Sequence, residues 1–558
     1  MAQTISIGKQ DFLYLRENNY FYIDKTDFIR QWWESADDIT LITRPRRFGK
    51  TLNMDMLRTF FEKTADDNSQ YFTNKRIWQQ GERYTKHQGK YPVIFITLKD
   101  VRARNWSTAF DMLKFVIRTE FARHKELLNS QAVSLTDQAI YNKIIMDTAR
   151  DSEYRFSLQV LCRMLHAHHQ VKPIIIVDEY DTPVQEGYMN AYYDDAIDFI
   201  RSFFSAALKD NPHLMMSILT GILRIAKESI FTGLNNLETD SVLHTRYGDA
   251  FGFTQEEVEA MLAYYNLNEQ IEEVKKWYDG YLFNNFEIYN PWSILKYVND
   301  RKDHVTQFPL PYWSNTSSNS IVHEMVEDAD EDARRDLETL MDSGTIEKIV
   351  HEEITYADIH KSQDNLWNFL FFTGYLKKMG ERTDAEGDIH LKMAIPNMEI
   401  KKIYRESITE WFNQRIKKKD RSPLVRALEE GDCEAAENFV NEQLFDTISY
   451  FDYAESYYHG FMAGLLKNAG RYAVYSNRES GNGRPDIVLT ELKFRGRAMI
   501  LELKISDTIQ GMEKKCEEAL AQIEEKKYAV PLEDDGYRPI LKYAICFFKK
   551  GCIVRKAE

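Results

Sequence analysis

Cysteine, long apolar runs and basic charge are what this sequence is short of. Five cysteines occur in 558 residues, at positions 162, 433, 516, 546 and 552, and no two form a CxxC pair. That scatter excludes a disulfide framework and a zinc ribbon. It suits a reducing compartment, so a cytoplasmic location is expected. No stretch approaches the roughly 20 apolar residues needed to cross a bilayer, and the N-terminal MAQTISIGKQDFLYLRENNYFYIDK has no apolar segment of signal-peptide length. No membrane association is expected. Glycine and proline number only 24 and 13, which excludes collagenous and low-complexity architectures. Lysine and arginine total 72 against 87 aspartates and glutamates, a net charge of −15. A blanket of positive charge, the usual means of coating nucleic acid, is therefore missing.

Apolar and aromatic residues are plentiful, at 43% and 13%. They imply sizeable folded cores, and the length implies about three to four domains. Short apolar runs at ITLIT (39–43), YPVIFITL (91–98), PIIIVDEYD (173–181) and HLMMSILTG (213–221) alternate with helical patterns. Near-continuous apolar strands separated by helices predict a parallel sheet covered on both faces, over residues 1–240. Residues 241–435 show helical periodicity and are expected to form a mostly helical connecting domain with a winged-helix candidate. Within them, 324–339 holds eight acidic residues and two arginines, the pattern of a solvated helix face. KKKDRSP (417–423) is the best linker candidate. Residues 436–558 return to mixed α/β. The strand candidates DIVLTEL and AMILELKI are joined by the turn KFRGR, and a long helix candidate and LKYAICFF follow.

Residues 44–51 read RPRRFGKT. The pattern GxxxxGK[ST] is a phosphate-binding loop, and here Gly49, Lys50 and Thr51 match while Arg44 stands in place of the first glycine. Gly49 lets backbone N–H groups approach a phosphate, Lys50 reaches the β/γ-phosphates, and Thr51 ligates Mg²⁺. Arg44 and Arg47 add cations to the loop and are candidate nucleotide-binding residues with Gly49, Lys50 and Thr51. Downstream, four apolar residues lead into Asp178 and Glu179. Asp178 suits the magnesium shell, and Glu179 could orient or deprotonate an attacking water. Thr220, ending the fourth strand, could sense the γ-phosphate. Arg224 could offer a guanidinium to the phosphate or to a neighbouring subunit of a homo-oligomer, or sit in a surface salt bridge. The expected ligands are ATP and Mg²⁺.

A second constellation lies in the tail. Asp486 precedes one strand candidate, and Glu502 and Lys504 lie two apart on the next, sharing a face while Leu501, Leu503 and Ile505 take the other. Two acids and a lysine so placed suit a divalent metal, Mg²⁺ or Mn²⁺, held by Asp486 and Glu502, with Lys504 positioning a water for phosphodiester hydrolysis. Glu455 could approach the metal. Gln522, with Tyr528 six residues on, could contact a nucleic-acid backbone. Residues 467–504 carry eight Lys/Arg against four Asp/Glu, a local basic patch that points to DNA or RNA as partner. His166, His168 and His169 lack the further ligands a metal site needs. The aromatic stretch 277–294 is read as packing.

NNYFYIDKTDFI, RPRRFGKTLNMDML, IIIVDEYDTPV, FGFTQEEV, WYDGYLFNN, YNPWSIL and, in the tail, ESYYHGF, GRPDIVL, MILELK and ALAQIEEKKY together resemble a bacterial family of AAA-ATPase-like proteins with a C-terminal PD-(D/E)XK nuclease-superfamily domain. The resemblance implies a P-loop NTPase sheet, a helical middle and an α/β restriction-endonuclease-like tail. It also implies that arginine is normal at position 44. By resemblance Lys50 and Thr51 bind ATP and Mg²⁺, Asp178 and Glu179 are the Walker B acids, and Asp486, Glu502 and Lys504 form the nuclease core. The expected function is an ATP-regulated, metal-dependent nuclease. The alternative is a nucleotide-dependent switch or scaffold whose tail binds nucleic acid without cutting it.

Overall fold

A computed structural model describes residues 2–224, 236–303, 308–313, 330–352, 362–418, 422–445, 455–467, 470–476, 483–493 and 495–557, together with Val322, Tyr356 and Ser480. The chain divides into two compact units, residues 1–318 with 345–403 and residues 319–344 with 404–558.

The first unit is built on five parallel strands, β1 (Ile39–Thr43), β2 (Val93–Thr97), β3 (Ile174–Asp178), β4 (Met216–Gly221) and β5 (Leu237–Asp240), in the order β2-β3-β4-β1-β5. Every residue of β1, β3 and β4 is buried. Such strands need apolar cover on both faces, which is why they read as unbroken hydrophobic runs. Helices Lys50–Phe61, Trp106–Arg123, Ser157–His169 and Tyr193–Leu208 belong to this unit. The ends of β1 to β4 align, since Thr43 is level with Gly221 and Thr97 with Asp178. Their C-terminal edge is where ligands bind in open parallel sheets.

Beyond β5 the same unit carries helices Gln255–Tyr264, Ile271–Tyr278 and Pro291–Asp303 and two small antiparallel sheets. One orders β6 (Phe253–Thr254), β8 (Phe286–Tyr289) and β7 (Tyr281–Phe283). The other orders β10 (Lys377–Thr383), β11 (Ile389–Ala394) and β9 (Ile346–Val350), with helix Gln363–Phe372 between β9 and β10 in sequence. A strand, a helix and a hairpin in that order are the central parts of a winged helix. The helix, QDNLWNFLFF, buries Leu366, Trp367, Phe369, Leu370, Phe371 and Phe372, so its apolar face is committed to packing and not to reading a groove.

The second unit holds a five-stranded mixed sheet in the order β12 (Tyr472–Ser476), β13 (Ile487–Glu491), β14 (Ala498–Ile505), β15 (Ile540–Phe548), β16 (Gly551–Lys556). Neighbours run antiparallel except β14 and β15, which are parallel and joined through helix Met512–Glu525. That helix buries Met512, Cys516 and Ala519 with Ala544 and Cys546, and Ile523 with Ile500 and Tyr528. The sequence reading missed β5 and the terminal β16. Part of the acidic run forms helix Glu331–Met341, capped by Asp330, with Ala333, Leu337, Leu340 and Met341 inside and the charges outside. Residues 324–329 of that run and 419–421 of the linker candidate lie outside the described residues.

Candidate functional sites

At the phosphate loop, Gly49 takes φ +84 and begins helix Lys50–Phe61. A side chain at Gly49 would meet nothing within 4 Å. The constraint is the left-handed backbone, which glycine adopts without penalty. Phe48, just before it, is fully buried against Tyr281 and Phe283, at 5.0 and 5.1 Å between ring centroids. It pins the loop to the hairpin β7–β8. Lys50 Nζ donates to the carbonyls of Arg44 and Pro45, both at 2.9 Å. Burial pushes the Lys50 ammonium below its ordinary pKa, against the pull of Glu179, Asp181 and Asp178. A cation desolvated this way gains from any anion that enters.

Asp178 ends β3 and receives three hydroxyls. Thr51 Oγ1 donates to Oδ2 at 2.8 Å, Thr97 Oγ1 to Oδ2 at 3.3 Å, and Thr220 Oγ1 to Oδ1 at 2.9 Å. Burial, then the neighbouring Glu179, holds its carboxyl above the usual carboxylate range. Thr51 and Asp178 are thus already together, and a buried carboxylate strained toward protonation is relieved by a divalent cation. The donor set fits magnesium. Glu179 has φ +52, a left-handed conformation uncommon for a residue with a Cβ. It lines a cavity of about 350 Å³ with Arg46, Arg47, Gly49, Lys50 and Thr51. Among the described residues, seven Lys or Arg side chains line that cavity against Asp100 and Glu179. Phe21, Tyr22, Ile23, Phe253, Trp292 and Leu295 give it an apolar part. Arg47 lies over the Trp292 ring at 4.3 Å from its centroid. Cation-lined and apolar surface in one cleft suits a nucleotide.

Two residues of the sequence-based set lie elsewhere. The Arg44 guanidinium turns away from the loop. It donates to Asp240 Oδ2 at 2.5 Å and to the carbonyls of Thr43 and Asp240 at 2.9 Å, between Phe251 and Phe283. Its contribution to the loop is its backbone carbonyl, and its side chain ties β1 to β5. Replacing the arginine with the motif's glycine should therefore destabilise the protein by about 3–5 kcal/mol, because it leaves Asp240 buried without its partner. Denaturant unfolding of Arg44→Gly checks this, and a neutral or stabilising result would contradict the assignment. Arg224 lies 3.9 Å from Glu352 and does not line the cavity.

In the second unit, Asp486 Oδ2 accepts from the Leu503 N–H at 2.8 Å. The pairing of Ile487 with Leu501 places it beside Glu502. Glu502 is 2% exposed. Its Oε1 accepts from Lys504 Nζ at 3.3 Å and from Gln522 Nε2, while its Oε2 is buried with no hydrogen-bond partner among the described residues. Burial, and then the charge of Asp486, pushes the Glu502 carboxyl up to about 7, against the opposing pull of Lys504. A buried unpartnered carboxylate oxygen beside a second acid is costly unless a proton or a cation occupies it. The donor set again fits a divalent metal. Gln522 reaches Glu502 and also Tyr528, whose hydroxyl lies 3.3 Å from it. Tyr528 is 2% exposed and its hydroxyl faces the Arg484 carbonyl at 3.5 Å, so it braces the approach to β13 and is not free to meet a polymer. Glu455 begins helix Glu455–Leu466, and its side chain lies outside the described residues.

The raised Glu502 pKa sets a pH dependence. Between about pH 4.5 and 7 the folded chain keeps a proton that the unfolded chain has released. Stability therefore falls as pH rises through this window, by up to about 3 kcal/mol from this group. Mg²⁺ or Mn²⁺ should recover that loss at pH 8 and do little at pH 5, and Glu502→Gln should flatten both responses. Thermal melts at the two pH values, with and without metal, make the comparison.

The sequence reading missed Thr97, Asp181 and His459, and it took Trp292, within the aromatic stretch 277–294, as packing where the residue lines the cavity. Asp181 is buried and its Oδ2 accepts from the N–H groups of Ile222 and Leu223. His459 Nε2 lies 2.9 Å from the Asp486 carbonyl and 3.0 Å from Ser476 Oγ. Asp181 was visible as a third acid in DEYD. Thr97 and His459 carry no local signal.

Residues 6–231 match the family model described as "Predicted AAA-ATPase", and residues 453–557 match that of the "PD-(D/E)XK nuclease superfamily". A similar curated protein is an "Uncharacterized protein in vnfD 5'region" of Azotobacter chroococcum mcd 1, 24% identical over 549 residues, covering 96% of this chain and 93% of that protein. Among the described residues no helix is long and apolar enough to cross a membrane. The chain thus carries an AAA-ATPase-like domain and a domain of the PD-(D/E)XK nuclease superfamily.

Proposed function

We propose that the chain binds and hydrolyses ATP at the cavity beside Lys50 and cuts phosphodiester bonds of DNA or RNA at Asp486, Glu502 and Lys504, with ATP regulating the cut. The carrying observation is Glu502 Oε2, buried beside Asp486 without a hydrogen-bond partner among the described residues. A hairpin built only for stability would not retain such a group. Asp486 and Glu502 would hold the Mg²⁺ or Mn²⁺, which supplies polarisation of the phosphodiester and a more acidic water. Lys504 keeps a cation at the face where phosphate charge develops, and Gln522 holds the Glu502 carboxylate in place. In the nucleotide site, Lys50 and Arg47 face the phosphates, Thr51 and Asp178 would hold Mg²⁺, and Glu179 orients the water.

The test is a screen of labelled single- and double-stranded DNA and RNA with Mg²⁺ or Mn²⁺, in ATP, in a non-hydrolysable analogue and without nucleotide. Metal-dependent cleavage that changes with nucleotide is the expected result. Binding without cleavage on every substrate would overturn the nuclease reading in favour of a nucleotide-dependent scaffold.

A further inference from the structure

The strand end that carries Asp178 is fastened to the chain leaving β4 by a set of bonds that the phosphate-binding pattern does not call for. Tyr180 N–H donates to the Thr220 carbonyl at 2.9 Å. The Tyr180 hydroxyl donates to the Leu223 carbonyl at 2.6 Å. Asp181 Oδ2 accepts from Ile222 N–H at 2.8 Å and Leu223 N–H at 3.2 Å. Gly221 lies beneath them, and a Cβ there would fall 2.4 Å from the Tyr180 ring and 2.9 Å from Asp181 Oδ1. The Gly221 carbonyl in turn accepts from Arg44 N–H at 3.2 Å, and the Arg44 carbonyl accepts from Lys50 Nζ. One unbroken chain of bonds therefore runs from residues 180–181 through 220–223 to the phosphate loop. Tyr180 and Asp181 are 0% and 1% exposed.

We propose that Asp181, with Tyr180, is a positioning residue of the nucleotide site. It holds residues 221–223 so that Thr220 Oγ1 stays on Asp178 and the loop carbonyls stay on Lys50. This rests on the reading of the loop as an ATP site. A buried carboxylate accepting two backbone N–H groups is rigid. Losing it frees the strand end to move while the cavity, which Asp181 does not line, keeps its walls. The cost should therefore appear in turnover and not in nucleotide affinity, because misplacement of a catalytic group by about 1 Å lowers rates by about a hundredfold.

The test uses the full chain. Asp181→Ala should lower kcat for ATP by about tenfold to a hundredfold, with affinity for a fluorescent ADP within about threefold of wild type. Asp181→Asn, whose amide oxygen can accept the same two N–H groups, should recover most of the rate. Wild-type turnover in Asp181→Ala, or equal loss in both variants, would overturn the proposal. Hydrogen exchange of the Ile222 and Leu223 amides gives a readout free of ATP. Exchange should accelerate in Asp181→Ala and not in Asp181→Asn, and unchanged exchange in both would also overturn it. If Lys50→Ala binds nucleotide as wild type does, the ATP-site reading fails by itself, and the exchange data still decide the clamp.

Discussion

Lys50→Ala is expected to lower ATP turnover by about a hundredfold to a thousandfold, the range seen when one preorganised charge-stabilising group is removed. The expectation comes from the state of the ammonium before any ligand arrives. It is buried, held by the two loop carbonyls of Arg44 and Pro45, and pushed toward neutrality by its desolvation. Little water has to be stripped from it when a phosphate enters, so its charge acts in full on the transferring group. The variant should stay folded. Removing a desolvated cation relieves a cost, which offsets the two hydrogen bonds lost at the carbonyls of Arg44 and Pro45. Unfolding midpoints close to wild type beside the lost turnover would bear this out. Equal loss of both would mean that Lys50 is a structural residue of the loop.

Asp486→Asn should abolish most metal-dependent cleavage, by about a hundredfold to ten-thousandfold, with little change in stability. The amide oxygen of asparagine can still accept from Leu503 N–H, which Asp486→Ala would leave unpaired at about 1–3 kcal/mol. What asparagine removes is the charge. That charge is one reason the Glu502 carboxyl sits near pH 7, so the variant should also lower the Glu502 pKa. The stability loss between pH 4.5 and 7 should then narrow from its upper end. Cleavage assays and pH-dependent melts on one preparation test both halves. A variant that cleaves as wild type does would place the chemistry away from this hairpin. A variant that fails to cleave but keeps the wild-type pH dependence would mean that burial alone sets the Glu502 pKa.

The parts of both sites that were legible in the sequence are those specified within a few residues. Apolar runs ending in Asp178 and in Thr220 announce buried parallel strands, because both faces of such a strand are covered and favour apolar side chains. Gly49-Lys50-Thr51 is a local device whose geometry needs only the strand before it and the helix after it. The alternation of Glu502 and Lys504 with leucines shows their shared face through the period of a strand. Gln522 was legible as a site residue on the helix after them, but toward a nucleic-acid backbone, whereas it donates to Glu502.

Partner choice across the fold was not legible. Arg44 was read as facing phosphate from its place in the motif. It faces Asp240, 196 residues away, only because the sheet order sets β5 beside β1. For Arg224 the sequence left a phosphate and a salt bridge both open, and the fold sets it beside Glu352. The clamp of Asp181 on Ile222 and Leu223 exists because β4 lies between β1 and β3, an order the chain does not spell out locally. By itself, the sequence determined the kinds of strands, the phosphate loop and the paired acids, since periodicity and short motifs are properties of neighbouring residues. Tertiary structure alone decided which hydroxyls surround Asp178, where the Arg44 charge is neutralised and why the Glu502 carboxyl is held above the usual carboxylate range. Those depend on burial and on contacts between segments far apart in the chain, and burial is what turns an ordinary carboxylate or ammonium into a group poised to bind a cation or an anion.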